Sequence, residues 1–182
     1  MNIVVAITGA SGAIYARQVL DLLINSAKVV NVALVMSDNA CDVIEAEKIA
    51  LPESPKVKVY SNDDMWASLA SGSARWNSMI IVPCSMGTVG RIASGVSRTL
   101  IERAADVMLK ERRPLVTVVR EAPYSLIHLR NLTTITEAGA IVLPASPSFY
   151  FVPQSIDELA MTVSIRAVEM LGLEVAHRSW GE

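Results

Sequence analysis

Short runs of aliphatic and β-branched residues alternate with longer stretches in which apolar side chains recur every three or four positions. This is the pattern of strand–helix–strand units on a parallel sheet. The strand runs are Ile3 to Thr8, Val29 to Met36, Val57 to Tyr60, Met79 to Pro83, Leu115 to Val119 and Ala140 to Leu143. Several are apolar without alternation, which predicts a sheet covered on both faces. Helical periods fill the gaps at Ala13 to Ser26, Asn39 to Ala50, Thr88 to Ala93, Thr99 to Arg112, Leu126 to Ala138 and Ile156 to Leu171. The last is the best marked: Ser155 with Glu158 forms an S-x-x-E capping box and Gly172 supplies a C-terminal stop. Leu51 to Lys58, with two prolines, and Ser71 to Asn77 read as loops.

Composition sharpens this picture. The 182 residues are 52% hydrophobic but only 5% aromatic and 19% charged, with a net charge of −2 and a mean hydropathy of +0.40. One domain, spanning residues 1–182, is the natural count at this length. The apolar fraction is slightly high for a soluble protein, yet runs such as Val29 to Met36 are far shorter than the roughly 20 residues of a membrane-spanning helix. The chain opens on a strand without a signal-peptide pattern, so a cytoplasmic location is expected. Sixteen basic against eighteen acidic residues, without a basic block, argue against nucleic acid. Cys41, Cys84, His128 and His177 have no metal-site spacing, and no metal is expected. The remaining account of the apolar excess is surface hidden against other copies of the same chain.

Ligands of open parallel sheets bind beyond the carboxyl ends of the strands. At those ends stand Gly9-Ala10-Ser11-Gly12, then Ser37, Cys84-Ser85-Met86-Gly87-Thr88, Arg120-Glu121 and Ser146 to Tyr150. Gly9 to Gly12 either lets the backbone and the next helix's N–H groups approach a phosphate or is a tight turn capped by Ser11. It lacks the G-x-G-x-x-G of dinucleotide sites, so a mononucleotide is the better fit. Cys84 to Thr88 repeats the arrangement. Arg120 and Glu121 form an ion pair at the rim or meet a ligand. Arg103 and Lys110, seven apart, share a helix face. Arg166 falls at the margin of the stripe made by Leu159, Val163, Ala167 and Met170, where it snorkels to water or meets a buried anion. Tyr150 lies just before that helix. His128 reads as a packed or capping residue, and Trp66, Trp76 and Trp180 as interface fillers.

Together these stretches resemble the flavin prenyltransferase (UbiX-like) family over essentially the whole chain. The resemblance rests on Thr8-Gly9-Ala10-Ser11-Gly12-Ala13, Pro83-Cys84-Ser85 with Thr88, and Leu100 to Val107. It rests also on Leu109 to Val116, Arg120-Glu121-Ala122-Pro123, Phe149-Tyr150 with Pro153-Gln154-Ser155, and Arg178 with Trp180-Gly181-Glu182. It implies a three-layer Rossmann-like or flavodoxin-like α/β fold and transfer of a dimethylallyl group from dimethylallyl phosphate to N5 and C6 of reduced FMN without a metal. The prenylated FMN would serve a UbiD-like decarboxylase, often in ubiquinone synthesis, and the protein would form a homo-oligomer, typically a dodecamer.

Carried over by position, Gly9, Ala10, Ser11, Ser37, Ser85, Met86, Gly87, Thr88 and Arg120 would hold FMN. Lys110, Arg120, Tyr150 and Arg166 would surround the dimethylallyl phosphate. Ser11 would lie near flavin N5, Glu47 and Glu121 would manage protons and position the phosphate, and Arg103 would join the charged network. Phe151 departs from the histidine or polar residue of many relatives and puts a minor contact in question. By its own composition the tail after Gly172, residues 173–182, is either loose or docks on a neighbouring subunit. Two rivals are flavin-dependent cysteine decarboxylases and a non-catalytic FMN-binding module. The decarboxylase pattern is broken here: no histidine lies between Val57 and Ser78, Gly87 replaces an asparagine, and Val119 to Pro123 lacks a Met-Asn pair.

Overall fold

The computed structural model describes residues 1–177 and Gly181. Arg178, Trp180 and Glu182 of the expected docking tail lie outside the described residues. The chain runs β1 (Asn2–Ile7), α1 (Ala13–Asn25), β2 (Asn31–Met36), α2 (Asp38–Ala46), β3 (Val57–Tyr60), β4 (Ser78–Cys84), α3 (Met86–Ala93), α4 (Leu100–Lys110), β5 (Leu115–Val119), α5 (Leu126–Glu137), β6 (Ile141–Pro144) and α6 (Ile156–Glu169). The strand order is β3-β2-β1-β4-β5-β6, and every neighbouring pair is parallel. Of the two fold names in the expectation, this order is the Rossmann one, with its switch point between β1 and β4.

The unbroken apolar strands have the predicted physical cause. Side chains alternate across the sheet, and both faces are dry. Val4, Ala6, Ala33, Val35, Met79 and Ile81 pack on one side with residues of α3, α4 and α5. Ile3, Val5, Ile7, Val32, Ile80 and Val82 pack on the other with α1 and α6. Trp76 is part of this packing: it lies against the first layer and donates from Nε1 to Ser68 Oγ at 3.1 Å. Trp66 is 98% exposed.

Helix boundaries differ from the sequence reading where caps intervene. α2 stops at Ala46 rather than Ala50, because Glu47 leaves the helix as its C-cap and Lys48 turns to φ 54°. Thr99 and Glu102 form a full capping box on α4. Ser125 and His128 do the same on α5, which makes His128 a capping residue. At α6 the box is shifted: Ser155 Oγ accepts from Glu158 N at 3.1 Å, but the Glu158 carboxylate accepts from Gln154 N at 2.7 Å. Gly172, at φ 83°, ends the helical segment as expected.

Candidate active site

The loops after β1 and β4 meet at the switch point. Thr8 is buried and its hydroxyl joins them: it donates to Pro83 O at 2.9 Å and accepts from Ser85 N at 2.8 Å. Ser85 caps α3, with its Oγ 3.0 Å from the Thr88 hydroxyl. Ser37 caps α2 and accepts from Ala40 N at 3.2 Å. A Cβ on Gly9 would stand 2.5 Å from Asn39 Cβ, so the loops after β1 and β2 approach closely only because residue 9 is glycine. Gly9, Ser37, Ser85, Gly87 and Thr88 thus share one polar crevice of about 470 Å³.

Neither sequence reading of the first loop holds in its simple form. The N-cap of α1 is Gly12, at φ 111°, and no side chain of its own loop caps the helix. Glu47 does so from the C-terminal end of α2: Gly12 N donates to its Oε1 at 2.8 Å and Ala13 N to its Oε2 at 2.7 Å. An anion at this helix start is favourable, and the protein supplies that anion itself. Burial alone would raise the Glu47 carboxyl. Hydrogen bonds from the Ser11 hydroxyl and the two amides, with the charge of Arg120, outweigh it and hold Glu47 below the usual carboxylate range.

Arg120 leaves the end of β5, passes β4 and donates from Nε to Ser11 O at 3.1 Å. It forms no ion pair with Glu121, whose Oε1 accepts from Ala122 N at 3.1 Å. Ser11, Glu47 and Arg120 therefore converge. Tyr15 joins them unannounced by any motif: burial raises its phenol while Arg120 opposes the rise.

Tyr150 and Arg166 line a second cavity, of about 720 Å³, with Leu143, Pro144 and Glu169. Arg166 donates from Nη1 to Glu169 Oε2 at 2.9 Å, and His177 lies 3.5 Å from the other oxygen. The two cavities have no lining residue in common. Lys110 and Arg103 are not brought to either one. Lys110 ends α4 at the amino edge of the sheet, where it pairs with Glu111, and Arg103 donates to Ala70 O and pairs with Asp106. The interior of α4 runs away from the carboxyl edge, which a helix-face argument from spacing does not reveal.

The sequence reading missed Asn62, Arg91, Arg98 and Glu102, which also line the polar crevice. The T-x-x-E of Thr99 and Glu102 was the available signal for one of them. Among the described residues no cluster of three or more His, Cys, Asp or Glu is placed to hold a metal ion.

A flavoprotein family model matches residues 1–168. The flavin prenyltransferase UbiX of Pseudomonas aeruginosa is 41% identical, covering 100% of this chain and 94% of its own length. The solved structure of AnUbiX (PadA1) in complex with FMN and dimethylallyl pyrophosphate superposes with a TM-score of 0.87 at 41% identity over 98% of each chain. The dodecameric FMN-dependent UbiX-like decarboxylase of Escherichia coli O157:H7 gives 0.91 at 36% identity, covering 100% of both. A Rossmann sheet with two small-residue loops at its switch point, matched end to end at such identity, leaves one assignment: the chain belongs to the flavoprotein family, within its flavin prenyltransferase group.

Proposed function

We propose that residues 1–182 act as one flavin prenyltransferase domain, joining the dimethylallyl group of dimethylallyl phosphate to N5 and C6 of reduced FMN for use by a UbiD-like decarboxylase. The observation that carries this reading is the convergence of Ser11, Glu47 and Arg120 on the loop after β1, whose Gly9 lines the polar crevice at the β1/β4 switch point. The residues fit FMN: the hydroxyls of Ser37, Ser85 and Thr88 suit its ribityl and phosphate groups, and Gly9 and Gly87 let backbone come close. When bound, reduced FMN supplies the electron-rich ring atoms that accept the allyl group.

The chain's own residues supply binding, charge and proton handling. The Ser11 hydroxyl directs its hydrogen at Glu47, so its oxygen is left as an acceptor for a ring N–H. Glu47, held below the usual carboxylate range, stays ionised at neutral pH and orients Ser11. A carboxylate so stabilised is a poor base. The C6 proton has two acceptors of the right kind, the Glu121 carboxylate and the departing phosphate, and Glu121→Gln separates them. Tyr150 and Arg166 hold the dimethylallyl phosphate and stabilise the negative charge that grows on its oxygen as the bond to carbon breaks.

One chain does not bring Tyr150 and Arg166, or Lys110 and Arg103, against Ser11. A neighbouring copy does so in our reading, within a homo-oligomer of the dodecameric kind described for the Escherichia coli relative. Leu126, Ile127, Phe149, Val152 and Ile156 are each more than 60% exposed and supply apolar surface for that assembly. No helix among the described residues is long and apolar enough to cross a membrane, and we place the enzyme in the cytoplasm.

The test is anaerobic incubation with reduced FMN and either dimethylallyl phosphate or the diphosphate, with and without a chelator, followed by mass analysis of the flavin. A five-carbon gain with the monophosphate, unaffected by chelator, is expected. An unchanged flavin mass in folded, flavin-loaded protein refutes the reading.

A further inference from the structure

Of the charged residues lining the polar crevice that none of these roles uses, Asp38, Arg91, Arg98 and Glu102, Arg91 and Glu102 are joined to each other. The Glu102 side chain is 3% exposed and its carboxylate is fully engaged. Oε1 accepts from Arg91 Nε, and Oε2 accepts from Arg98 N at 2.8 Å and Thr99 N at 3.1 Å. Burial of Glu102 would raise its carboxyl, but these donors hold it low, so the group is a fixed anion.

Arg91 is the opposite case. Its side chain is 49% exposed. One edge of the guanidinium is clamped by Glu102, and Nη2 donates to Thr88 Oγ1 at 3.2 Å. Nη1 has no partner among the described residues and lies 3.3 Å from where a Cβ on Gly87 would stand. A planar fork fixed along one edge offers its remaining N–H groups in a set direction. Here that direction is the start of α3, beside the Ser85 and Thr88 hydroxyls and the first amides of the helix, which have no partner within it.

The helix starts near the Gly9 loop differ in what they offer an anionic group. The α1 start is taken by Glu47, and a phosphate there would meet a carboxylate at both amides. The first turn of α3 carries no carboxylate, and Glu102, which shares the crevice, is paired with Arg91. Asp38 is the other acid lining the crevice, in the first turn of α2.

We propose that Arg91 recognises the 5′-phosphate of the flavin and sets the preference for FMN over riboflavin, with Glu102 as the positioning residue that aims it. This rests on the chain binding FMN and is independent of the transfer reaction. Riboflavin is the matched probe, since it differs from FMN only in lacking the phosphate.

The experiment is titration of FMN and of riboflavin, read by quenching of flavin fluorescence, into wild type, Arg91→Ala, Arg91→Lys and Glu102→Gln. Removing a charge-assisted contact to phosphate is expected to weaken FMN about 10- to 100-fold in Arg91→Ala, with riboflavin changed by less than about twofold. Arg91→Lys, which keeps a cation beside Glu102, loses less. Glu102→Gln lowers the FMN-to-riboflavin ratio in the same direction, a shift that a purely structural role would not produce. Equal loss for both flavins, or no loss for FMN, in both Arg91 variants overturns the proposal. So does a wild type that does not distinguish the two. A wild type that selects FMN through Arg91 but adds no five-carbon unit would sink the transferase reading and leave this inference standing.

Discussion

Glu47→Gln tests whether the carboxylate at the end of α2 is what holds the first helix and the loop before it. The substitution keeps the shape but replaces one carboxylate oxygen with an NH₂ group, which must face either Gly12 N or Ala13 N, donor against donor. A hydrogen bond to a charged group contributes about 1.5–3 kcal/mol, and a charge at a helix N-terminus about 0.3–1 kcal/mol. Glu47 is only half-buried, so the lower part of the combined range applies, about 2 kcal/mol. For a domain of this size that corresponds to a fall in Tm of about 4–8 °C.

The pH dependence gives the test its specificity. The folded-state carboxyl lies below its ordinary value. Its contribution is therefore complete above the unfolded value of about 4.3 and is lost as pH falls through the folded value. Calorimetry of both proteins at one protomer concentration should show the full difference at pH 7 and pH 5, closing below about pH 4. A difference that persists unchanged to the lowest pH at which both fold would refute the electrostatic cap. So would no difference at pH 7.

Three further outcomes rest on the same geometry. Arg166→Ala and Glu121→Gln should keep FMN affinity near wild type yet slow prenyl transfer at least tenfold in single-turnover assays, and wild-type rates in both would remove those roles. Cys84 is wholly buried at the end of β4 with its thiol pushed up to about 12, so that roughly one in ten thousand is thiolate at pH 8. A thiol reagent on the native protein should label exposed Cys41 and reach Cys84 only after unfolding, as peptide mass analysis will show. Ile127→Asp places a charge at a position 68% exposed in one chain. Sedimentation should show a smaller assembly with unchanged helix content; an intact oligomer would mean that this face is not buried between copies.

Local pattern carried much of the architecture. Continuous aliphatic runs specify strands buried on both faces, and that property fixes the layer arrangement without knowledge of the neighbours. The glycine and hydroxyl loops after β1 and β4 were legible because the residue after a strand end in such a sheet is positioned by topology alone. That argument puts Ser11, Ser37, Ser85, Thr88 and Arg120 just beyond strand ends, and the strands of the structure end where this requires. Arg91 and Glu102 were not, because an arginine in the second turn of a helix looks solvated until a carboxylate eleven residues later is folded against it.

The sequence by itself determined the strand and helix segments, the small-residue loops and the apolar surplus, since each depends on residues close in the chain. Only the tertiary structure decided which helix start is open to an anion. The answer depends on Glu47, 35 residues from Gly12, whose carboxylate takes the amides of α1 and leaves those of α3 beside Arg91. Periodicity cannot encode that choice, because it is made by where the carboxylate at the end of one helix falls against the amides at the start of another once the fold brings them together.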